Sequence, residues 1–291
     1  MNAIETHQLT KYYGKTRGII DVDLSVAEGD FFGFIGPNGA GKSTAIRTLL
    51  GLIAPTSGSA AIFGKEITAH KQGLLSEIGY LPSEAMFYSG MKVKELLILS
   101  AKLRGRDCRE EARRLCERLE LDPTRRIDRL SLGNRKKVGI VCALQHRPRL
   151  YLLDEPTGGL DPLMQREFYS ILEERNAEGA TVFLSSHILS EVERYCKHAA
   201  VIREGRLLVS DRVEKLGHTG VKRVTLRGIT ALPLSEHVRD VKAEEDTLRF
   251  LYSGAPAELL RSLSSLAPED ITITDPDLDE VFLHYYAKEG T

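Results

Sequence analysis

Residues 36–43 read Gly36-Pro37-Asn38-Gly39-Ala40-Gly41-Lys42-Ser43 and fit the pattern G-x-x-x-x-G-K-S/T of a phosphate-binding loop. The apolar run at residues 31–35 predicts a short buried strand before this loop, and residues 43–52 predict a helix after it. Glycine lets the backbone approach an anion closely, and a helix N-terminus presents N–H groups and a positive dipole to it. The stretch therefore predicts the strand–loop–helix unit of an α/β fold that binds phosphate groups.

Two side chains at the end of the loop indicate which ligand it binds. The ammonium group of Lys42 is expected to reach the terminal phosphates, and the Ser43 hydroxyl is expected to coordinate Mg²⁺. We therefore predict that the ligand is a nucleoside triphosphate with magnesium. The predicted contacts to this ligand are Gly36, Pro37, Asn38, Gly39, Ala40, Gly41, Lys42, Ser43 and Thr44.

Composition limits the possible function classes. The chain has 291 residues, enough for two domains, and its net charge of −1 gives no basic field, so we expect no nucleic acid partner. The four cysteines form no C-x-x-C pair, which favours reduced thiols in a cytosolic chain. Because no apolar run approaches about 18 residues and the N-terminus lacks a signal-like segment, we expect neither a membrane span nor export of the chain.

The pattern of apolar residues changes along the chain. Residues 1 to about 80 alternate as strands do, and residues 84–147 follow a helical pattern. A hairpin is predicted at 201–209, and residues 221–291 indicate a small α+β domain. The other predicted strands are 4–9, 22–26, 59–62, the buried parallel strands 150–153 and 181–184, and 223–226, 238–241, 248–252 and 271–274; the other predicted helices are 93–103, 109–119, 255–266 and 278–287.

An acidic pair follows the apolar run Leu150-Tyr151-Leu152-Leu153. Ligands of open α/β folds bind at the carboxyl ends of the strands, which is where this strand places Asp154. We expect Asp154 to hold Mg²⁺, directly or through water, and Glu155 to direct its carboxylate at the water that attacks the γ-phosphate. A solvated strand end explains an isolated Asp-Glu pair equally well, but the phosphate-binding loop upstream favours a nucleotide site.

A third motif, Leu130-Ser131-Leu132-Gly133-Asn134, lies before the acidic strand. Together with the two motifs above, it resembles the ATP-binding cassette (ABC) ATPases, whose signature reads Leu-Ser-Gly-Gly-Gln. Ser131 and Gly133 are kept, whereas Leu132 replaces a glycine and Asn134 replaces the glutamine. A hydroxyl and a backbone N–H at a helix N-terminus are still available to bind a γ-phosphate.

Three further residues match the family in chain order. Asp161 ends the segment Gly158-Gly159-Leu160-Asp161, which stands where the family has a loop that crosses between two nucleotide sites. His187 matches the histidine that hydrogen-bonds the γ-phosphate in this family. Tyr13 matches the aromatic residue on which adenine stacks, although the neighbouring Tyr12 is an alternative.

One further position departs from the family pattern. Ser83 stands where the family has a glutamine that touches Mg²⁺ or the attacking water and signals to the membrane partner. A serine side chain is too short to reach as far as a glutamine does. Either water bridges from Ser83 to the metal or Glu84 takes over the role, and the sequence leaves both possibilities open.

The resemblance covers residues 1 to about 215 and implies the architecture. It implies a P-loop NTPase core with a parallel sheet, an antiparallel N-terminal β-subdomain and a helical subdomain at about 84–147, together forming a domain at 1–217. The α+β domain at 221–291 follows. It also implies that ATP binds between two ATPase subunits of a homo- or heterodimer. The contacts that would cross to the partner's nucleotide are Ser131, Gly133, Asn134 and Asp161.

The function implied by the resemblance is ATP hydrolysis, with Glu155 as general base and ATP and Mg²⁺ bound. Hydrolysis would drive transport through a separately encoded transmembrane permease, which would dock near residues 83–102 and hold the chain at the cytoplasmic face of the membrane. Residues 277–283 are similar to a segment near the end of the ATPase subunits of bacterial drug and antibiotic-peptide exporters, although an ordinary amphipathic terminal helix explains this segment equally well. We expect export by analogy with that branch of the family. Two alternatives remain, a non-transport ABC ATPase and a weakly hydrolysing regulatory subunit.

Overall fold

The structure of the chain is a computed structural model, which describes residues 1–67, 71–84, 86–87, 90–217, 221–229, 237–244, 246–264, 266 and 268–274. The chain divides into two compact units, Met1–Asp211 and Arg212–Thr291. The boundary that we predicted, between residues 217 and 221, falls inside the second unit. The predicted helix at 278–287 and the exporter-like segment at 277–283 lie outside the described residues.

Strands and helices alternate through most of the first unit, and their numbering continues in chain order through the second unit. The strands are β1 (Asn2–Tyr13), β2 (Thr16–Ala27), β3 (Phe31–Ile35), β4 (Ser57–Ile62), β5 (Lys65–Glu66), β6 (Ile78–Leu81), β7 (Leu150–Asp154), β8 (Thr181–Ser186), β9 (His198–Arg203), β10 (Arg206–Arg212), β11 (Lys222–Arg227), β12 (Val238–Glu244), β13 (Thr247–Tyr252) and β14 (Asp270–Thr274). The helices are α1 (Lys42–Leu49), α2 (Lys71–Leu75), α3 (Val93–Leu103), α4 (Arg109–Arg118), α5 (Leu132–Leu144), α6 (Pro162–Ala177), α7 (Leu189–Tyr195), α8 (Val213–Gly217) and α9 (Pro256–Ser264).

A six-stranded sheet with the order β10-β9-β3-β8-β7-β6 forms the centre of the first unit. The pairs from β9 to β6 are parallel, so the carboxyl ends of β3, β7 and β8 meet at one edge of the sheet. Every residue of β3 and β7 is buried, which explains their continuous apolar sequences. The turn from β9 to β10 uses Glu204 and Gly205, both with positive φ, as a two-residue hairpin requires.

A second, antiparallel sheet with the order β2-β1-β4-β5 forms the N-terminal subdomain. A cluster of buried apolar residues joins it to the parallel sheet and to α1, and includes Ile4, Val22, Phe34 and Ile46. The Phe34 and Phe183 rings pack with their centroids 5.3 Å apart. The predicted α/β core with an antiparallel N-terminal subdomain and a helical region is therefore confirmed.

The second unit contains its own antiparallel sheet, with the order β12-β13-β11-β14. Leu259 and Leu263 of α9 are buried in one cluster with Val224 of β11 and Phe250 of β13. In the described residues of the whole chain, no helix combines the length and apolar character that a bilayer crossing requires.

Candidate nucleotide-binding site

The loop between β3 and α1 leaves the start of the helix open to an anion. Gly41 immediately precedes α1 with φ +112°, a conformation that residues with a Cβ rarely adopt. A Cβ at Gly41 would also lie 2.7 Å from the Gly18 carbonyl oxygen. Among the described residues, no side chain caps this N-terminus and its first turn carries no acid. Its free N–H groups, next to Ser43 and Thr44, therefore suit phosphate oxygens.

Lys42 is the buried cation of this loop, with only 5% of its surface exposed. Its Nζ donates hydrogen bonds to the carbonyl oxygens of Gly36 at 2.6 Å and Pro37 at 3.2 Å. It also lies 3.2 Å from Oε1 of Glu155. The ammonium group is thus held inside the loop by oxygen atoms, and phosphate oxygens can take the place of these partners.

Asp154 has one carboxylate oxygen in use and one without a partner. The residue is fully buried at the carboxyl end of β7, and its Oδ1 accepts a 2.8 Å hydrogen bond from Ser185 Oγ of β8. Among the described residues, its buried Oδ2 has no hydrogen-bond partner. A buried carboxylate oxygen is costly when unpaired, and it is the type of ligand that Mg²⁺ prefers. The environment of Asp154 therefore fits a magnesium ion.

Glu155 and His187 converge with Lys42. The Nδ1 atom of His187 lies 3.3 Å from Oε1 of Glu155, the same oxygen that faces Lys42. Glu155 has φ +46°, and its N–H donates a 3.0 Å hydrogen bond to the Ser185 carbonyl. This conformation is uncommon outside glycine and often accompanies functional sites. The structure thus brings together four of the predicted residues: Lys42, Asp154, Glu155 and His187.

Tyr13 lies next to the phosphate-binding loop. A Cβ built on Gly18 would be 3.2 Å from the Tyr13 ring and 2.8 Å from the Thr44 methyl group, so these three residues meet. The Tyr13 side chain is 45% exposed, which leaves ring surface open for a base to stack on. Tyr12 is 38% exposed, so exposure does not distinguish the two tyrosines.

Two of the four predicted cross-dimer residues, Ser131 and Asp161, cap helices. The Ser131 hydroxyl accepts hydrogen bonds from the backbone N–H of Asn134 at 3.3 Å and from its side-chain amide at 3.0 Å. Asp161 Oδ1 accepts from two N–H groups at the start of α6. A Cβ at Gly133 would lie 2.6 Å from the Gly159 carbonyl oxygen, so the signature packs against the segment that contains Asp161. Ser131 and Asp161 are both exposed.

Comparison with known proteins identifies the family. The profile of the ABC transporter family matches residues 19–158. The chain is 41% identical over 211 residues to the bacitracin transport ATP-binding protein BcrA of Bacillus licheniformis, covering 70% of this chain and 68% of that protein. It is 32% identical to the protein of the same name from Enterococcus faecalis, covering 96% of this chain and 94% of that protein. The chain belongs to the ABC transporter family.

A solved structure supports the same assignment. A structure described as the ATP-binding subunit of an ABC transporter matches 74% of this chain and 91% of its own length, with a TM-score of 0.69 and 31% identity. The chain is an ATP-binding subunit of an ABC transporter, and its enzymatic activity is ATP hydrolysis coupled to transport. The two alternatives that the sequence left open are not favoured.

Sequence reasoning missed Lys136, a buried lysine in α5 of this ABC ATPase. Its Nζ donates to the carbonyl oxygens of Pro82 at 3.2 Å, Ser83 at 2.9 Å and Glu155 at 3.0 Å. Burial lowers the pKa of Lys136 to about 8, although the carboxylates of Asp154 and Glu155 oppose this shift. In the sequence Lys136 lies in a basic run that resembles a solvated helix face. The signal that was available is the apolar segment at residues 138–144 that directly follows, because a lysine buried beside such a segment must be paired.

Glu191, in α7, is a second residue that the sequence did not reveal. Its two carboxylate oxygens accept hydrogen bonds from Thr157 Oγ1 at 2.7 Å and Ser186 Oγ at 2.8 Å. Thr157 follows the acidic pair, and Ser186 precedes His187. Glu191 therefore ties together the two chain segments that carry Glu155 and His187 in this ABC ATPase.

Proposed function

We propose that this ATPase subunit drives export through a separate transmembrane permease by closing around ATP as a dimer. The observation that carries the proposal is the cluster of Lys42, Glu155 and His187 beside the unpaired carboxylate oxygen of Asp154. Export is supported by the antibiotic-related relatives, two of which are bacitracin transport ATP-binding proteins. The substrate path lies in the permease, so this chain does not define the substrate.

Within one subunit, the phosphate-binding loop holds the triphosphate. The N–H groups at the start of α1 and the Lys42 ammonium bind its phosphates, and Tyr13 stacks on the base. Glu155 accepts a proton from the attacking water, and His187 hydrogen-bonds the γ-phosphate. The Ser43 hydroxyl and the Asp154 carboxylate would hold magnesium, with Ser83 through water, or Glu84 in its place, as the further contact. When bound, Mg²⁺ neutralises charge on the phosphate oxygens.

The second half of each site comes from a second ATPase subunit, which we propose is another copy of this chain. Ser131 and Asn134 contact each other at the N-terminus of α5, so this terminus can face the γ-phosphate bound by a partner. Gly133 and Asp161 would face the same nucleotide of the partner, because the signature packs against the segment that ends in Asp161. ATP then stabilises the closed dimer, because each copy supplies a part of the site that the other lacks.

The permease docks in an apolar groove of about 700 Å³ beside the helical region. Leu103 and Leu52 remain 81% and 54% exposed there, and with the other lining residues they form a contiguous apolar surface that a partner would cover. Docking in this groove would hold the chain at the cytoplasmic face of the membrane. The apolar residues that line it include Leu52, Tyr80, Phe87, Leu96, Leu99 and Leu103.

The docking groove can be tested with two matched leucine-to-glutamate substitutions. Leu103→Glu places a carboxylate in the groove, so the variant is expected to move from the membrane fraction to the supernatant in cells that contain the cognate permease. Leu260→Glu is the control, because Leu260 is 58% exposed on α9 and lies outside both the groove and residues 83–102. Fractionation with quantitative blotting measures the distribution, and thermal unfolding verifies that both variants fold. Equal membrane association of both variants would exclude this groove.

A further inference from the structure

Lys136 connects two segments of the site that are far apart in sequence. It lies on α5, five residues after Ser131, and only 4% of its surface is exposed. Its ammonium group contacts Pro82 and Ser83, which directly follow β6, and Glu155, which directly follows β7. All three acceptors are main-chain carbonyl oxygens. One side chain of α5 thus contacts both the loop after β6 and the acidic pair.

The chemistry of the ammonium group makes this junction specific. A lysine ammonium has three donors and no acceptor, and here three carbonyl oxygens receive them. A buried charge with a missing partner is strongly destabilising, so each of the three carbonyls is needed where it is. The loop after β6 and the backbone of Glu155 are therefore held at a fixed separation.

The backbone of Glu155 is held on both sides by hydrogen bonds, one of which comes from Lys136. Its N–H donates to Ser185, and its carbonyl oxygen accepts from Lys136. Between these two hydrogen bonds the residue has φ +46°, a conformation that needs support from its surroundings. Rotation of this backbone would move the carboxylate away from Lys42 and His187. Its orientation therefore depends on Lys136.

We propose that Lys136 is a positioning residue for ATP hydrolysis, which links the main chain of the loop after β6 to the catalytic Glu155. Tyr80, which precedes this loop, lines the groove where we place the permease. Displacement of the loop by a docked partner would thus reach Glu155 through the Lys136 ammonium. Because the contact uses the main chain of Ser83, the link does not require a long side chain at that position. This inference rests on the proposed role of Glu155.

The test compares turnover with ATP affinity in the purified chain. Lys136→Met keeps the apolar stem and removes all three donors, so kcat is expected to fall by about 10²-fold as Glu155 is displaced. The dissociation constant for ATP, measured by calorimetry, is expected to be unchanged or lower, since Lys136 contacts no predicted phosphate ligand and displacement of Glu155 frees the Lys42 ammonium. Lys136→Gln keeps an amide donor and is expected to lose about tenfold in kcat. If the Met variant does not fold, the kcat of Lys136→Gln decides the test.

Lys137→Met is the matched control. Lys137 is the next residue of α5 and is buried to 8% exposure, yet it donates to neither Ser83 nor Glu155. Wild-type kcat in the Lys136 variants would overturn the inference. So would a parallel loss of ATP affinity, melting temperature and kcat in the Lys136 and Lys137 variants, because that indicates a structural role. If Glu155→Gln also hydrolyses ATP normally, the proposed function fails, which separates the two outcomes.

Discussion

Replacing Glu155 by glutamine is expected to lower ATP turnover by roughly 10²–10⁴-fold, while ATP binding is retained. The substitution keeps the shape of the side chain but removes its ability to accept a proton from water. Glutamine also removes the negative charge that faces Lys42 at 3.2 Å. The ammonium group is then freer to bind phosphate oxygens, so ATP affinity is expected to be equal or higher.

The Glu155→Gln variant separates binding from hydrolysis in a single protein. Phosphate release in steady state measures turnover, and a sizing column run with ATP and Mg²⁺ is expected to show a trapped dimer. Glu173→Gln, the same change at an exposed position of α6, is the control and is expected to behave as wild type. Near-normal phosphate release by Glu155→Gln would remove Glu155 from the role of general base.

Replacing Lys42 by alanine is expected to abolish tight ATP binding. Hydrogen bonds from a charged donor are each worth about 1.5–3 kcal/mol, and Lys42 supplies such donors to the phosphates. The loss of two of them corresponds to an affinity at least about 10²-fold lower. Because Lys42 also donates to Gly36 and Pro37, the loop itself loses part of its support.

Calorimetric titration with ATP and Mg²⁺ measures this loss directly. Lys102→Ala, at an exposed position of α3, provides the control for removal of one positive charge. A melting temperature close to that of the wild type would show that the Lys42 variant is folded. Unchanged ATP affinity in Lys42→Ala would contradict the assignment of the phosphate-binding loop.

The strands that the sequence predicted well are those whose burial follows a simple pattern. The run at 31–35 coincides with β3 because all five residues are buried, so it reads as one apolar segment. In contrast, β1 spans Asn2–Tyr13, although only 4–9 were predicted. The pairing of β1 with β2 has register shifts, and Gln8 of β1 and Asp21 of β2 have positive φ. These irregularities interrupt the alternation on which the prediction depends.

The site residues also differ in how far the sequence could predict them. Lys42, Asp154 and Glu155 could be predicted because each follows a strand within a short local motif. The hydrogen-bond partners of Lys136 and Glu191 could not be predicted, because they are distant in sequence: Lys136 lies more than 50 residues from Ser83, and Glu191 lies 34 residues from Thr157. Contacts of this kind appear only when the chain has folded, since periodicity indicates burial but not which groups meet.

The most direct test of a nucleotide site shared between two copies is a mixture of two inactive variants. Lys42→Ala damages the phosphate-binding loop, and Ser131→Glu places a carboxylate against the γ-phosphate held by the partner. A mixed dimer combines the intact loop of the Ser131 variant with the intact signature of the Lys42 variant. We predict that each variant alone has almost no ATPase activity and that mixing them restores part of it, because each mixed dimer has one intact site. A mixture no more active than the sum of its parts would contradict the shared site.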